Sequence, residues 1–248
     1  MGQEFYVILF RAGSSGRFIG NLIWGSLFPN RYSLTVSEYN SSHNQTMWAD
    51  TYRTLIQPTP VWFWQSKDFF NRIELLSNPA MIATHSQINL NDLFDKFPFS
   101  KVIFINIKET DLPEIYANCM LKNGFERFNN PGANLAELSV IHNKYKEKYN
   151  TKPVLNNFDD DFIRETIKSY VDLLLKNSEK DRYFINESIP QKYSSNVLRL
   201  PYSEITNDKN TTLTNISNFI GKPIPNNVSN FYDTYLNGRQ QLLERYML

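Results

Sequence analysis

One segment concentrates backbone and side chains able to hold an anion: Arg11-Ala12-Gly13-Ser14-Ser15-Gly16-Arg17-Phe18. It follows an apolar run, Phe5–Phe10. It precedes a stretch in which Phe18, Leu22, Ile23 and Leu27 recur at helical spacing. Apolar strand, small-residue loop, then helix is the order that wraps backbone N–H groups around a phosphate or sulfate. The helix N-terminus adds partial positive charge there. Gly13 and Gly16 permit positive φ and close backbone approach. Ser14, Ser15 and Arg17 can donate directly, and Arg11 stands at the end of the strand. The spacing Gly13-x-x-Gly16, with Arg17-Phe18 next, departs from the nucleotide-hydrolysing P-loop. The hydroxyl that would hold Mg²⁺ is missing. The loop suits a phosphate or sulfate ester without a metal.

A second candidate is His85, placed directly after the apolar run Ala80–Thr84. Ligands of open α/β sheets bind beyond the carboxyl ends of their strands. A histidine there can take a proton near neutral pH. His43 and His142 sit in polar contexts and read as surface residues. The acidic run Asp159-Asp160-Asp161 precedes a helical pattern and reads as an N-terminal cap and dipole complement, not a metal site. The cationic run Lys144–Lys148 reads as a solvated helix face.

The elements that position these residues follow from periodicity. Phe5–Phe10, Ala80–Thr84, Lys101–Ile107 and Val197–Leu200 read as buried strands. Helical patterns cover Phe18–Phe28, Asp111–Leu121, Asp160–Leu175, Thr212–Ile220 and Val228–Tyr246, with Gly221 then Pro223 stopping the fourth. This alternation predicts a three-layer α/β fold with a central, mostly parallel sheet. Residues 124–193 are polar and helical and read as a lobe inserted in a single domain spanning 1–248. Asn40–Gln45 and Asn129–Gly132 read as surface loops.

The chain has 248 residues, 41% hydrophobic and 21% charged, which fits neither a disordered chain nor a membrane bundle. A net charge of +1 excludes a strongly basic nucleic-acid coat. The lone Cys119 excludes an internal disulfide and a Cys-rich metal site. No run approaches the ~20 apolar residues that cross a bilayer, and no targeting segment is visible. A reducing, cytoplasmic setting is the simplest expectation.

The loop at 11–18 resembles the 5′-phosphosulfate loop of the sulfotransferase family, enzymes that use 3′-phosphoadenosine-5′-phosphosulfate (PAPS). Ala83-Thr84-His85 resembles that family's Lys-Thr-His motif. Lys101–Tyr116 resembles the strand and helix that grip the 3′-phosphate, and Leu200–Gly221 resembles the Tyr-Glu element and the helix after it. Residues 124–193 match nothing in the family.

The resemblance implies that Gly13, Ser14, Ser15, Gly16, Arg17 and Phe18 bind the 5′-phosphosulfate. The family's loop lysine is absent, so Arg17, or else Arg11, would stabilise charge on the leaving oxygen. His85 would be the general base. Asn106 and Lys108 stand where the family places a phosphate-binding arginine. Near its serine stand Glu114, Ile115 and Tyr116, none of them a serine, while Glu109 and Asp111 add negative charge that would oppose a phosphate. Tyr202, Ser203 and Glu204 read as mainly structural.

The implied activity is sulfuryl transfer from PAPS to a hydroxyl or amine of a small-molecule or glycan acceptor, with 3′-phosphoadenosine-5′-phosphate (PAP) as product and no metal. The acceptor pocket would draw on aromatics around Trp48, Trp62–Trp64 and the lobe. Two rivals remain: another P-loop transferase such as a small-molecule kinase, and a non-catalytic relative that binds the nucleotide.

Overall fold

The structure is a computed structural model that describes residues 4–11, 13–28, 46–48, 80–84, 90–126, 128, 135–153, 158–177 and 191–246. Its sheet contains β1 (Phe5–Leu9), β2 (Thr46–Trp48), β3 (Ala80–Thr84), β4 (Lys101–Asn106) and β5 (Val197–Pro201) in the spatial order β2-β3-β1-β4-β5. β3, β1, β4 and β5 are mutually parallel, and only the short β2 runs antiparallel at the edge. The α/β architecture and the mostly parallel sheet expected from the sequence are therefore present.

β1 is central and buried along its length. Phe5, Val7 and Leu9 face one core with Ile82, Val102 and Phe104; Tyr6 and Ile8 face the other with Met81, Ala83 and Ile103. Alternation within a continuous apolar run is what a strand covered on both faces requires. One cover is helix α1 (Gly16–Leu27), which sends Phe18, Ile19, Leu22, Ile23 and Leu27 onto the sheet. The other is helix α2 (Leu90–Lys96), through Leu90, Leu93 and Phe94. β5 departs from the expected buried strand. Its Arg199 is exposed and lies over the Phe104 ring, 5.1 Å from its centroid, as suits an edge.

After β4 come helix α3 (Leu112–Cys119), a π-helical turn at Met120–Phe125, α4 (Leu135–Tyr149) and α5 (Asp160–Lys176). They share a third core of Tyr116, Met120, Phe125, Ile141, Phe162, Ile167 and Tyr170. Within residues 124–193, read from the sequence as a helical lobe, the described α-helices are α4 and α5. After β5 follow α6 (Tyr202–Asn207), α7 (Lys209–Ile220) and α8 (Asn226–Tyr246), which return to the core covered by α1.

Asp159 caps α5 as expected. Its Oδ1 accepts from the Phe162 amide at 2.7 Å, and its Oδ2 accepts from the Tyr149 hydroxyl. The Phe162 bond chiefly holds its carboxyl below the usual carboxylate range. A depressed carboxyl stabilises the fold above its unfolded pKa, and that stabilisation disappears as pH falls through the folded value. Asp159→Ala therefore melts at a lower temperature than wild type at neutral pH. In paired thermal melts the gap closes as the buffer drops below about pH 4.

Candidate functional site

In the parallel set, β1 connects to β3 on one side, whereas the chain then continues to β4 on the other side of β1. A crevice opens beyond the carboxyl ends of strands at such a reversal. The 11–18 loop leaves β1 there. The Phe10 amide donates to the Thr84 carbonyl at 3.1 Å, so the loop starts level with the end of β3. His85 itself lies outside the described residues, as do Trp62–Trp64 and the loops 40–45 and 129–132; Trp48 is described only in its backbone, within β2.

Among the described loop residues two are left-handed: Gly13 at φ +87° and Ser15 at φ +68°. Ser15, the N-cap of α1, is left-handed although it carries a side chain, a conformation rarely adopted by non-glycine residues. A left-handed residue followed by a right-handed helical one points successive N–H groups into one concavity, a geometry that receives anions. The Ser15 side chain does not cap the helix, and no acidic residue occupies its first turn. Among the described residues neither Ser15 nor an acidic first-turn side chain takes up the amides and the positive end of α1.

The glycines serve a purpose different from ligand approach. A Cβ on Gly13 would meet the Ile115 carbonyl oxygen at 2.5 Å and Cys119 Sγ at 2.8 Å, and one on Gly16 would collide with the Phe10 ring. Both absent side chains make room for protein. The serines also differ from expectation. Ser14 is fully buried, and its amide and hydroxyl both donate to the Arg11 carbonyl, the hydroxyl at 2.6 Å. The Ser15 hydroxyl is hydrogen-bonded to the Tyr235 hydroxyl. Ser14 thus stiffens the turn, and Ser15 ties it to α8.

Arg11 is half-buried, with Nη2 donating to the Tyr116 hydroxyl at 2.6 Å and Cζ 4.7 Å from that ring's centroid. Only the backbone of Arg17 is described, as the second residue of α1. Phe18 is buried, and its ring stacks on Tyr235 at 3.7 Å between centroids, so it serves the core beneath the loop. Asn106 ends β4 half-buried. Lys108 is exposed, and its amide donates to Asp111 Oδ2 at 2.8 Å, closing the turn after β4. The structure therefore brings Arg11, Gly13, Ser14, Ser15, Gly16 and Phe18 together and places Asn106 and Lys108 on the adjoining strand and turn.

The sequence pointed to Glu114 and Tyr202 but not to Arg239, the partner of Glu114, nor to the hydrogen bond of Tyr235 to the loop. Glu114, on α3, holds the Arg239 guanidinium of α8 through both carboxylate oxygens and accepts from the Tyr202 hydroxyl at 2.5 Å. Arg239 lies one turn after Tyr235, the residue bound to Ser15. Burial pushes the Tyr235 phenol up to about 12, so it remains neutral and can hydrogen-bond Ser15 in either direction. Burial, reinforced by the Glu137 carboxylate, likewise pushes the Cys119 thiol up to about 12. That leaves it protonated and unsuited to nucleophilic work. The spacing of Tyr235 and Arg239 by four residues was the available signal: it puts both on one helix face.

Among the described residues no group of three or more acidic, histidine or cysteine side chains is arranged to hold a metal ion, and no helix is long and apolar enough to cross a membrane. Compared with protein-family models and with curated proteins, the chain matches none.

Proposed function

We propose that the protein is a sulfotransferase-like enzyme that binds an adenosine phosphosulfate at the 11–18 loop and transfers its sulfuryl group to a hydroxyl or amine acceptor. One observation carries the reading: the left-handed residues Gly13 and Ser15 immediately precede α1, beside Arg11, where the strand order reverses. In the transfer an acceptor oxygen or nitrogen forms a bond to sulfur while the bond from sulfur to the bridging oxygen breaks. The electron pair stays on the 5′-phosphate, and the acceptor proton passes to His85. The loop amides and Arg17 stabilise charge as it develops on the leaving phosphate.

Glu114 favours a second reading, a non-catalytic nucleotide binder. It stands near where the family has a serine on the 3′-phosphate, and a carboxylate there opposes that group. It also already neutralises Arg239. A kinase-like reading would need magnesium-dependent ATP turnover.

The deciding experiment is calorimetry with PAP and, separately, ATP on wild type and Arg17→Ala. The expected result is PAP binding that weakens at least tenfold in the variant, with ATP binding much weaker than PAP. Equal binding of the two nucleotides, or none, overturns the proposal. PAP binding without transfer from PAPS to any of a panel of phenols and amines selects the binder.

A further inference from the structure

Ser15 departs from what a serine does at the start of a helix. A serine N-cap ordinarily has extended backbone and lends its side-chain oxygen to an amide of the first turn. Here Ser15 is left-handed, at φ +68°, and its side chain makes no capping hydrogen bond. The hydroxyl is instead hydrogen-bonded to the Tyr235 hydroxyl of α8. Left-handed backbone is costly for a residue with a Cβ, so a compensating contact must hold Ser15 there.

The position of Tyr235 is fixed without help from Ser15. Its ring is buried and stacks on Phe18 at 3.7 Å between centroids. Three residues earlier on α8, the Tyr232 hydroxyl donates to the Ile205 carbonyl at 2.5 Å. Four residues later, Arg239 meets both carboxylate oxygens of Glu114. Contacts on both sides thus set where the Tyr235 hydroxyl stands, and Ser15 must come to it. Two arrangements of Ser15 compete. In the extended one its oxygen takes an N–H of the first turn. In the left-handed one the oxygen goes to Tyr235, and successive N–H groups at the start of α1 turn into one concavity. Only in the second does Ser15 itself keep off those amides.

We propose that Tyr235 is a positioning residue for the donor loop: its hydroxyl holds Ser15 left-handed and away from the first-turn amides, which then serve the phosphosulfate. As a statement about the donor this rests on the transferase reading, but the conformation of Ser15 can be read without any nucleotide.

The test uses Tyr235→Phe in the full chain, which keeps the ring on Phe18 and removes only the hydroxyl. The nucleotide-free readout is the nuclear Overhauser effect between the amide and α protons of Ser15, strong for a left-handed residue and weak for an extended one. The expected result is a strong effect in wild type and a weak one in Tyr235→Phe. Calorimetry with PAP on the same proteins should show affinity lower by about fivefold in Tyr235→Phe. Adding Ser15→Gly to that variant should restore most of the affinity, because glycine has no hydroxyl to cap the helix and takes positive φ freely. A loss caused by poor packing of α8 would not be restored by that change. A weak effect in wild type, an unchanged effect in Tyr235→Phe, or a loss of PAP affinity that Ser15→Gly does not restore overturns the proposal. If wild type binds no PAP, the transferase reading falls, and the Overhauser effect still decides whether Tyr235 positions Ser15.

Discussion

Gly13→Ala lowers the stability of the folded chain by about 3 kcal/mol, combining a left-handed alanine with an overpacked contact. The wild-type residue sits at φ +87°, and its missing side chain is the space taken by the Ile115 carbonyl and Cys119. An added Cβ would stand 2.5 Å from that carbonyl oxygen, and the oxygen belongs to the backbone of α3, which cannot swing aside. Either the loop or α3 must shift. For a chain of this size the loss corresponds to a melting temperature lower by about 6–12 °C. Gly221→Ala is the matched control. It is also left-handed, at φ +69°, but no atom lies within 4 Å of its Cβ position. Its cost is the conformational part alone, about 1 kcal/mol. Equal losses at the two sites would show that the close approach of α3 to the loop is not what Gly13 serves.

Arg239→Ala should cost about 2–4 kcal/mol, because it strands a carboxylate that is mostly out of water. The Arg239 and Glu114 side chains are 13% and 19% exposed, and the guanidinium meets both carboxylate oxygens. Removing it leaves Glu114 with the Tyr202 hydroxyl as its described donor. Replacing both charges together, as Glu114→Gln with Arg239→Met, recovers much of the loss, since no unpaired ion remains. The midpoints of urea unfolding for Glu114→Gln, Arg239→Met and the double variant form the cycle that separates these cases. A loss below about 1 kcal/mol for Arg239→Ala would mean the pair behaves like an exposed one.

The elements that could be read in the sequence are those whose information is local. β1 is a continuous apolar run, and the structure buries both its faces. α5 begins where the acidic run provides a cap, and α7 ends at a left-handed Gly221. The order of small loop and helix after β1 was equally local, but positive φ, expected at Gly13 and Gly16, falls at Gly13 and Ser15, with Gly16 already helical. What escaped depends on distant partners or on too few residues to show a period. β2 has three residues, too short for alternation to register. The Ser15–Tyr235 bond joins positions 220 apart, and the Glu114–Arg239 pair joins positions 125 apart. In the sequence Tyr235 merely continues an apolar stripe, because the polar end of a tyrosine is silent until its neighbour is known.

The tie between Ser15 and Tyr235 also sets an order of events during synthesis. The loop is made first, and its partner follows 220 residues later. At ~5–20 residues per second the interval is roughly 10–40 s. Throughout it the nascent loop lacks the helix that fastens it, so a ribosome-stalled chain ending before Tyr235 presents the 11–18 turn untethered.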